Sequence, residues 1–227
     1  MAMETVGFDA KDDTVLEQLE VLVVIFSLRE SRLKVLLKAQ AGDLWALPGR
    51  PVRLSSSLEQ AAAEELDCHT GVADAYLEQL YTYGDPERIS GRRLISVAYF
   101  ALIPADAPYT AGEAYGARWF AVDDLPPLAM DHAEIIAYAL RRLRYKLEYS
   151  AVGFQLLPET FTLSEIQRTY EMILGEKIDK RNFRRRILAA GIIEPTPALR
   201  TGEGRPARLY RYRPDAVAEV KARRLFP

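Results

Sequence analysis

Apolar positions divide the chain into segments of two kinds. Val21–Phe26 is a continuous apolar run of strand length, and Leu33, Val35 and Leu37 alternate with Lys34 and Lys38. Short apolar runs and period-two alternation mark strands, with the charged stretch Arg29–Arg32 as the turn between these two. Leu94–Ile103, with the β-formers Ile95, Val97 and Tyr99, predicts a third strand, and Arg118–Val122 a fourth. Ser57 and Gln60 stand three apart, as in a capping box. A helix is therefore predicted from Ser57 through the alanines to about His69, stopped by Gly71. Ile135, Ala139, Leu143 and Leu147 predict one long amphipathic helix over Asp131–Tyr149. Asp43–Gly49 is turn-rich, and Gly153–Thr160, which contains Pro158, reads as irregular. The boundary is placed there, giving domains 1–152 and 153–227.

The second segment has its own pattern. Thr162 and Glu165 form another capping box, followed by Leu163, Ile166, Tyr170 and Ile173 on one helical face and Gly175 at the end. Asp179 is placed to cap a second helix from Lys180 to about Ala190, closed by Gly191. Helix, short turn, helix is the helix-turn-helix arrangement. At about 100° per residue, Phe183, Ile187 and Ala190 form the inner stripe of the second helix. Arg181 and Arg185 point outward, and Asn182 and Arg184 lie on the flanks. Ile192–Glu194 and Ala207–Tyr212 read as strands around the turn Thr201–Pro206, a wing with Arg205 at its tip and Arg208 beside it.

Charge sharpens that reading. Residues 151–227 carry 15 Lys and Arg against 9 Asp and Glu, whereas residues 1–150 carry 15 against 23. A basic segment on an acidic body points to a polyanion partner for that segment alone. Arginine can chelate guanine and asparagine adenine in a major groove, and a wing arginine can hold a phosphate or enter the minor groove. Lys180, Arg181, Asn182, Arg184, Arg185, Arg205 and Arg208 are the expected contacts to double-stranded DNA. The chain has one cysteine, Cys68, and hence no internal disulfide framework, and its N-terminus is acidic. No apolar run approaches the length of a membrane span. A soluble cytoplasmic protein without a membrane partner is expected.

Leu47-Pro48-Gly49, with a helix ending Glu65-Leu66 and then Gly71-Val72, resembles the Nudix box, G-x5-E-x7-R-E-U-x-E-E-x-G-U with U aliphatic. That box presents carboxylates which hold Mg²⁺ against a substrate diphosphate. Glu65, Leu66, Gly71 and Val72 keep their places. Arg50 stands for the leading glycine, Ser56 for the first glutamate, Glu64 for the arginine, and Cys68 and His69 for the glutamate pair. With three of four acidic positions gone, no catalytic residue, metal or cofactor is expected. Glu65, Cys68 and His69 lie within one helical turn, but a single thiol, imidazole and carboxylate make a poor soft-metal site. Cys68 is expected to pack as a small apolar residue, and His69 to be exposed at the helix end.

Both halves together resemble the NrtR family of Nudix-related transcriptional regulators. The resemblance rests on Trp45–Gly49, Gly84–Pro86 with Ser96–Tyr99, Arg118–Phe120, Leu125–Leu128, Asp131–Ile135, Tyr170–Gly175, Asp179–Arg184 and Arg205–Arg211. It implies an α+β chain, with an N-terminal Nudix-like α/β/α sandwich on a mixed sheet and a C-terminal winged helix-turn-helix domain. It further implies a homodimeric repressor of NAD metabolism genes on a palindromic operator, released by ADP-ribose or a related nucleotide. Trp45, Tyr81 and Tyr83 are candidates to stack on a base. Arg50, Arg53, Arg88, Arg92 and Arg93 are candidates to face a diphosphate, with Glu65 among the ligand contacts. His132, at the start of the long helix, is expected to be structural. An active hydrolase of a nucleoside diphosphate compound and a sugar-responsive regulator are the alternatives.

Overall fold

The computed structural model describes residues 15–91, 93–107, 116–148, 150–201 and 206–213, and for residues 15–17 the backbone alone. Arg92 and Arg205, both expected to touch anions, lie outside the described residues.

One mixed sheet organises the first half. Strand β1 (Val15–Arg29) is its spine. Its last turn of chain pairs antiparallel with β2 (Arg32–Ala39), its first half with β4 (Gly49–Arg53), and its whole middle runs parallel to β6 (Ile95–Ile103). The other members are β3 (Trp45–Ala46) and β7 (Ala117–Ala121), both on β2, and β5 (Tyr76–Tyr83) on β6. Two helices cover opposite faces because alternate residues of β1 point opposite ways. Val21, Val23 and Ile25 pack with Ala61, Ala62 and Leu66 of α1 (Leu58–Thr70). Leu22, Val24 and Phe26 pack on the other side with Ile135, Ala139, Leu143 and Leu147 of α2 (His132–Leu147). The result is the expected α/β/α sandwich on a mixed sheet.

The second half follows from a 3₁₀ turn at Val152–Leu156. Short β8 (Thr160–Phe161) precedes α3 (Leu163–Leu174) and α4 (Lys180–Ala189). Strands β9 (Ile193–Arg200) and β10 (Ala207–Tyr212) then complete a three-stranded sheet in the order β8, β10, β9. A 3₁₀ turn, two helices, a short strand and a hairpin make the winged helix. Both predicted capping boxes form: Ser57 and Thr162 accept from the N–H groups of Gln60 and Glu165, whose side chains bond back. α1 and α3 end on left-handed glycines, Gly71 and Gly175. The apolar core does not stop at residue 152: Leu147, Val152, Phe154, Phe161, Tyr170 and Ile173 continue the cluster that lies under β1.

β9 is longer than the predicted Ile192–Glu194 and runs through Pro195 and Pro197. The Arg213 N–H donates to the Ile192 carbonyl at 2.9 Å. With Pro195 paired to Tyr210 in that ladder, alternation turns the proline nitrogen away from β10, toward the open edge. Prolines belong on such outer strands because they remove no ladder bond there.

Candidate functional site

The box region is assembled from β4, α1 and the loop before β4. Pro48 accepts from the Val23 N–H, which lays the loop against β1. At Gly49 the chains approach so closely that a Cβ would sit 2.8 Å from the Val21 carbonyl oxygen and 2.5 Å from Leu22 Cδ2. This approach carries Arg50 over the helix. Its Nε donates to Glu65 Oε2 at 2.9 Å and its Nη1 to Glu64 Oε2 at 2.7 Å.

Glu65, 4% exposed, is the centre of the site. His69, one turn on, meets Oε1 through Nε2 at 3.0 Å, and Lys38 Nζ lies 4.0 Å from the same oxygen while donating to the Gly49 carbonyl. Burial alone would raise the carboxyl. Hydrogen bonds from His69 and Arg50, with the Lys38 charge, outweigh it and hold the group at about 2. Glu65 is therefore ionised, and His69 must donate. His69 was expected to be exposed; it is 6% exposed because the Glu65 carboxylate gives its ring a buried partner. Cys68 is half-buried beside it.

A second cluster lies at the start of α2. Arg88 was expected to face a diphosphate. Instead its side chain is 6% exposed, its Nε and Nη2 grip Asp131 at 2.5 and 2.8 Å, and its Nη1 donates to Ser96 Oγ at 2.6 Å. Its guanidinium lies 5.4 Å from the Tyr83 ring centroid, and Tyr83 is edge-on to the exposed Tyr81. Arg88 is thus an internal tie. Trp45 stands edge-on to Phe120 at 4.6 Å with Arg118 5.8 Å from its centroid, so its ring is half-buried in packing between β3 and β7. Arg53, at the end of β4, is exposed, and Arg93 donates to the Gly84 carbonyl.

The two clusters meet through His132, which is 1% exposed. Its Nδ1 accepts from the Leu47 N–H at 3.0 Å, and the preceding segment is zipped to the box loop by Trp45 N–H to Pro127 and Ala129 N–H to Trp45. A ring accepting at Nδ1 is neutral with its proton on Nε2. Burial lowers this imidazole to about 4. The sequence marked His132 only as the start of a helix; its partner lies 85 residues away.

The recognition helix presents its expected face. Phe183 and Ile187 are buried, Phe183 against the Tyr170 ring, and the Asp179 carboxylate caps the Asn182 N–H at 2.7 Å. Lys180, Arg181 and Arg185 are exposed, with Arg185 Nη2 on Asn182 Oδ1. Arg184 is turned toward α3 and donates to Ser164 Oγ at 3.0 Å. Arg208 is exposed on the wing.

Residues 153–212 match the family described as NrtR DNA-binding winged helix domain. The crystal structure of Shewanella oneidensis NrtR complexed with a 27mer DNA superposes with a TM-score of 0.83 at 35% identity, covering 92% of this chain and all of that one. A MutT/nudix family protein from Enterococcus faecalis superposes with a TM-score of 0.70 at 27% identity, over 86% of each chain. Fold and site together define a winged-helix regulator built on a Nudix-type body. The chain is also 34% identical over 199 residues to the ADPR responsive transcriptional repressor NtrR of Acinetobacter baylyi, spanning 84% of this chain and 80% of that protein. The chain belongs to the NrtR family of transcriptional regulators.

Proposed function

We propose that this protein is an ADP-ribose-responsive transcriptional repressor, which binds operator DNA as a homodimer through α4 and the wing, and whose Nudix body binds the nucleotide without cutting it. The observation that carries this reading is the box itself. The one carboxylate kept at a metal position, Glu65, is already held by an ion pair with Arg50 and a hydrogen bond with His69, on a chain that also carries a basic recognition helix. The likeness to an ADP-ribose-responsive repressor across both halves supports it. A hard divalent cation needs several oxygen ligands, and among the described residues no group of three or more His, Cys, Asp and Glu is arranged to hold one. Arg50 is the proposed diphosphate contact. Two of its nitrogens hold Glu64 and Glu65, and its Nη2, which meets no acceptor among the described residues, is the nitrogen proposed to take an anion. Arg53 on the same strand, and Trp45 and Tyr83 at the ends of β3 and β5, are proposed to complete the nucleotide site.

One recognition helix fills one major-groove half-site, so two copies are needed to read a palindrome. Operator binding titrated with and without ADP-ribose tests the regulator. Assaying phosphate-containing product with Mg²⁺ tests the hydrolase alternative, and a pentose in place of ADP-ribose tests the sugar-responsive one. DNA release by ADP-ribose without turnover is the expected result; turnover, or indifference to ADP-ribose, overturns the reading.

A further inference from the structure

Helix α2 is tied at both ends. At its first residue the His132 ring holds the box loop through Leu47. Twelve residues further along α2, about 18 Å at 1.5 Å per residue, Arg144 Nε donates to the Ile173 carbonyl at 2.7 Å. Ile173 lies in the last turn of α3, where helix carbonyls have no intrahelical partner and the negative end of the helix dipole is exposed. A guanidinium there is a charge-assisted cap donated by a different helix. It fixes where α3 ends, and α3 carries α4 through the contact of Tyr170 with Phe183, ring centroids 5.5 Å apart.

Beside this cap lies a crevice of about 520 Å³ between the two halves of the chain. Ser31, Arg32 and Asp123 line it from the sheet, Arg168 and Met172 from α3, and Arg144 from α2. The crevice leaves open space beside the last turns of α3, which also touches β2 of the sheet. A change in the pose of α2 has room to become a change in the pose of α3.

We propose that Arg144 is the positioning residue through which the nucleotide-bound state of the box loop is passed to the recognition helix. Nucleotide at Arg50 displaces the loop, Leu47 moves His132 and with it the start of α2, and Arg144 drags the end of α3. The α4 helices of the dimer are then presented to DNA at a spacing that no longer fits. This inference rests on the ADP-ribose-responsive reading above. Coupling of this kind requires that the ligand interact differently with the two poses.

The test uses the full chain, ADP-ribose, and a duplex selected by the wild-type protein from a random-sequence pool. Two quantities are read: ADP-ribose affinity of the DNA-free protein by calorimetry, and the factor by which saturating ADP-ribose weakens duplex binding. Arg144→Ala is expected to leave the first within about twofold and to cut the second by about fivefold or more, within the usual range of allosteric coupling. Arg144→Lys, which keeps a donor and a charge near the carbonyl, is expected to restore part of the factor. A purely structural role would weaken duplex binding equally with and without nucleotide, leaving the factor unchanged, and that result overturns the proposal. If Arg144→Ala does not fold, Arg144→Gln carries the same comparison with the same outcomes. A wild-type protein whose duplex affinity ignores ADP-ribose overturns the functional reading itself, which separates the two failures.

Discussion

The backbone N–H of Leu47 donates to Nδ1 of His132 at 3.0 Å, joining the box loop to the first residue of the helix that leads out of the Nudix body. The bond requires a neutral imidazole, and burial keeps it neutral by lowering its pKa to about 4. In the unfolded chain the same group titrates near 6.5. The unfolded state therefore takes up the proton first as pH falls. Stability contributed here is complete above pH 6.5 and declines from there toward pH 4, by at most about 3 kcal/mol. Thermal unfolding followed across this window should show the loss, and His132→Gln should flatten it. Equal pH dependence in the two proteins would show that His132 is not the group responsible.

Glu65 titrates in a lower window. Its folded value of about 2 lies below the ordinary carboxylate value of 4.5, so its contribution holds above pH 4.5 and is lost as pH falls toward 2. Glu65→Gln should remove this lower step while leaving the His132 step in place, as read by the midpoint of acid unfolding.

Arg50→Ala should weaken ADP-ribose binding by about tenfold, the effect of losing one charge-assisted contact of about 1.4 kcal/mol. It should also free Glu65, so that added Mg²⁺ affects binding more in the variant than in the wild type. Calorimetry with and without Mg²⁺ measures both, and an unchanged affinity would remove Arg50 from the nucleotide site.

On the DNA side, Arg181→Ala and Arg185→Ala should each cost about 1–3 kcal/mol of operator affinity if the residue reads a base. Arg184→Ala is expected to cost less operator affinity, because its guanidinium is held by Ser164. Normal operator affinity in the Arg181/Arg185 double variant, by fluorescence anisotropy, would defeat the assignment of α4 as the reading helix.

Gly49→Ala should destabilise the protein by about 1–3 kcal/mol, the usual cost of forcing an extra methyl into a packed region. The Val21 carbonyl it would meet is backbone in the central strand and has little freedom to withdraw. A melting temperature equal to wild type would mean that β1 and β4 separate more easily than their spacing suggests.

The helices were legible in the sequence because their signals are local. Two capping boxes, two terminating glycines and the apolar spacing of α2, α3 and α4 each lie within one or two turns of chain. β5 was missed because the bulge between Gln79 and Tyr81 shifts its alternation midway, so no single period spans it. β9 was cut short by its prolines, which forbid a central strand but not an outer one. In the site, the departures of Arg50, Cys68 and His69 from the box could be read directly. That Arg50 and His69 close on Glu65, that Arg88 is held by Asp131, and that His132 reaches Leu47 could not. Of these, only His69 and Glu65 are near neighbours in sequence; the others are brought together by the packing of β4, β6 and α2.

The outward-facing Pro195 of β9 also bears on how the protein behaves when crowded. An exposed strand edge ordinarily offers a row of N–H and C=O groups onto which another chain can add. Here Pro195 breaks that row on its open side, at the edge of the wing. Copies gathered along DNA therefore meet a broken row of backbone groups at this edge. The wing is kept for the nucleic acid, and clustering on the chromosome need not turn into aggregation.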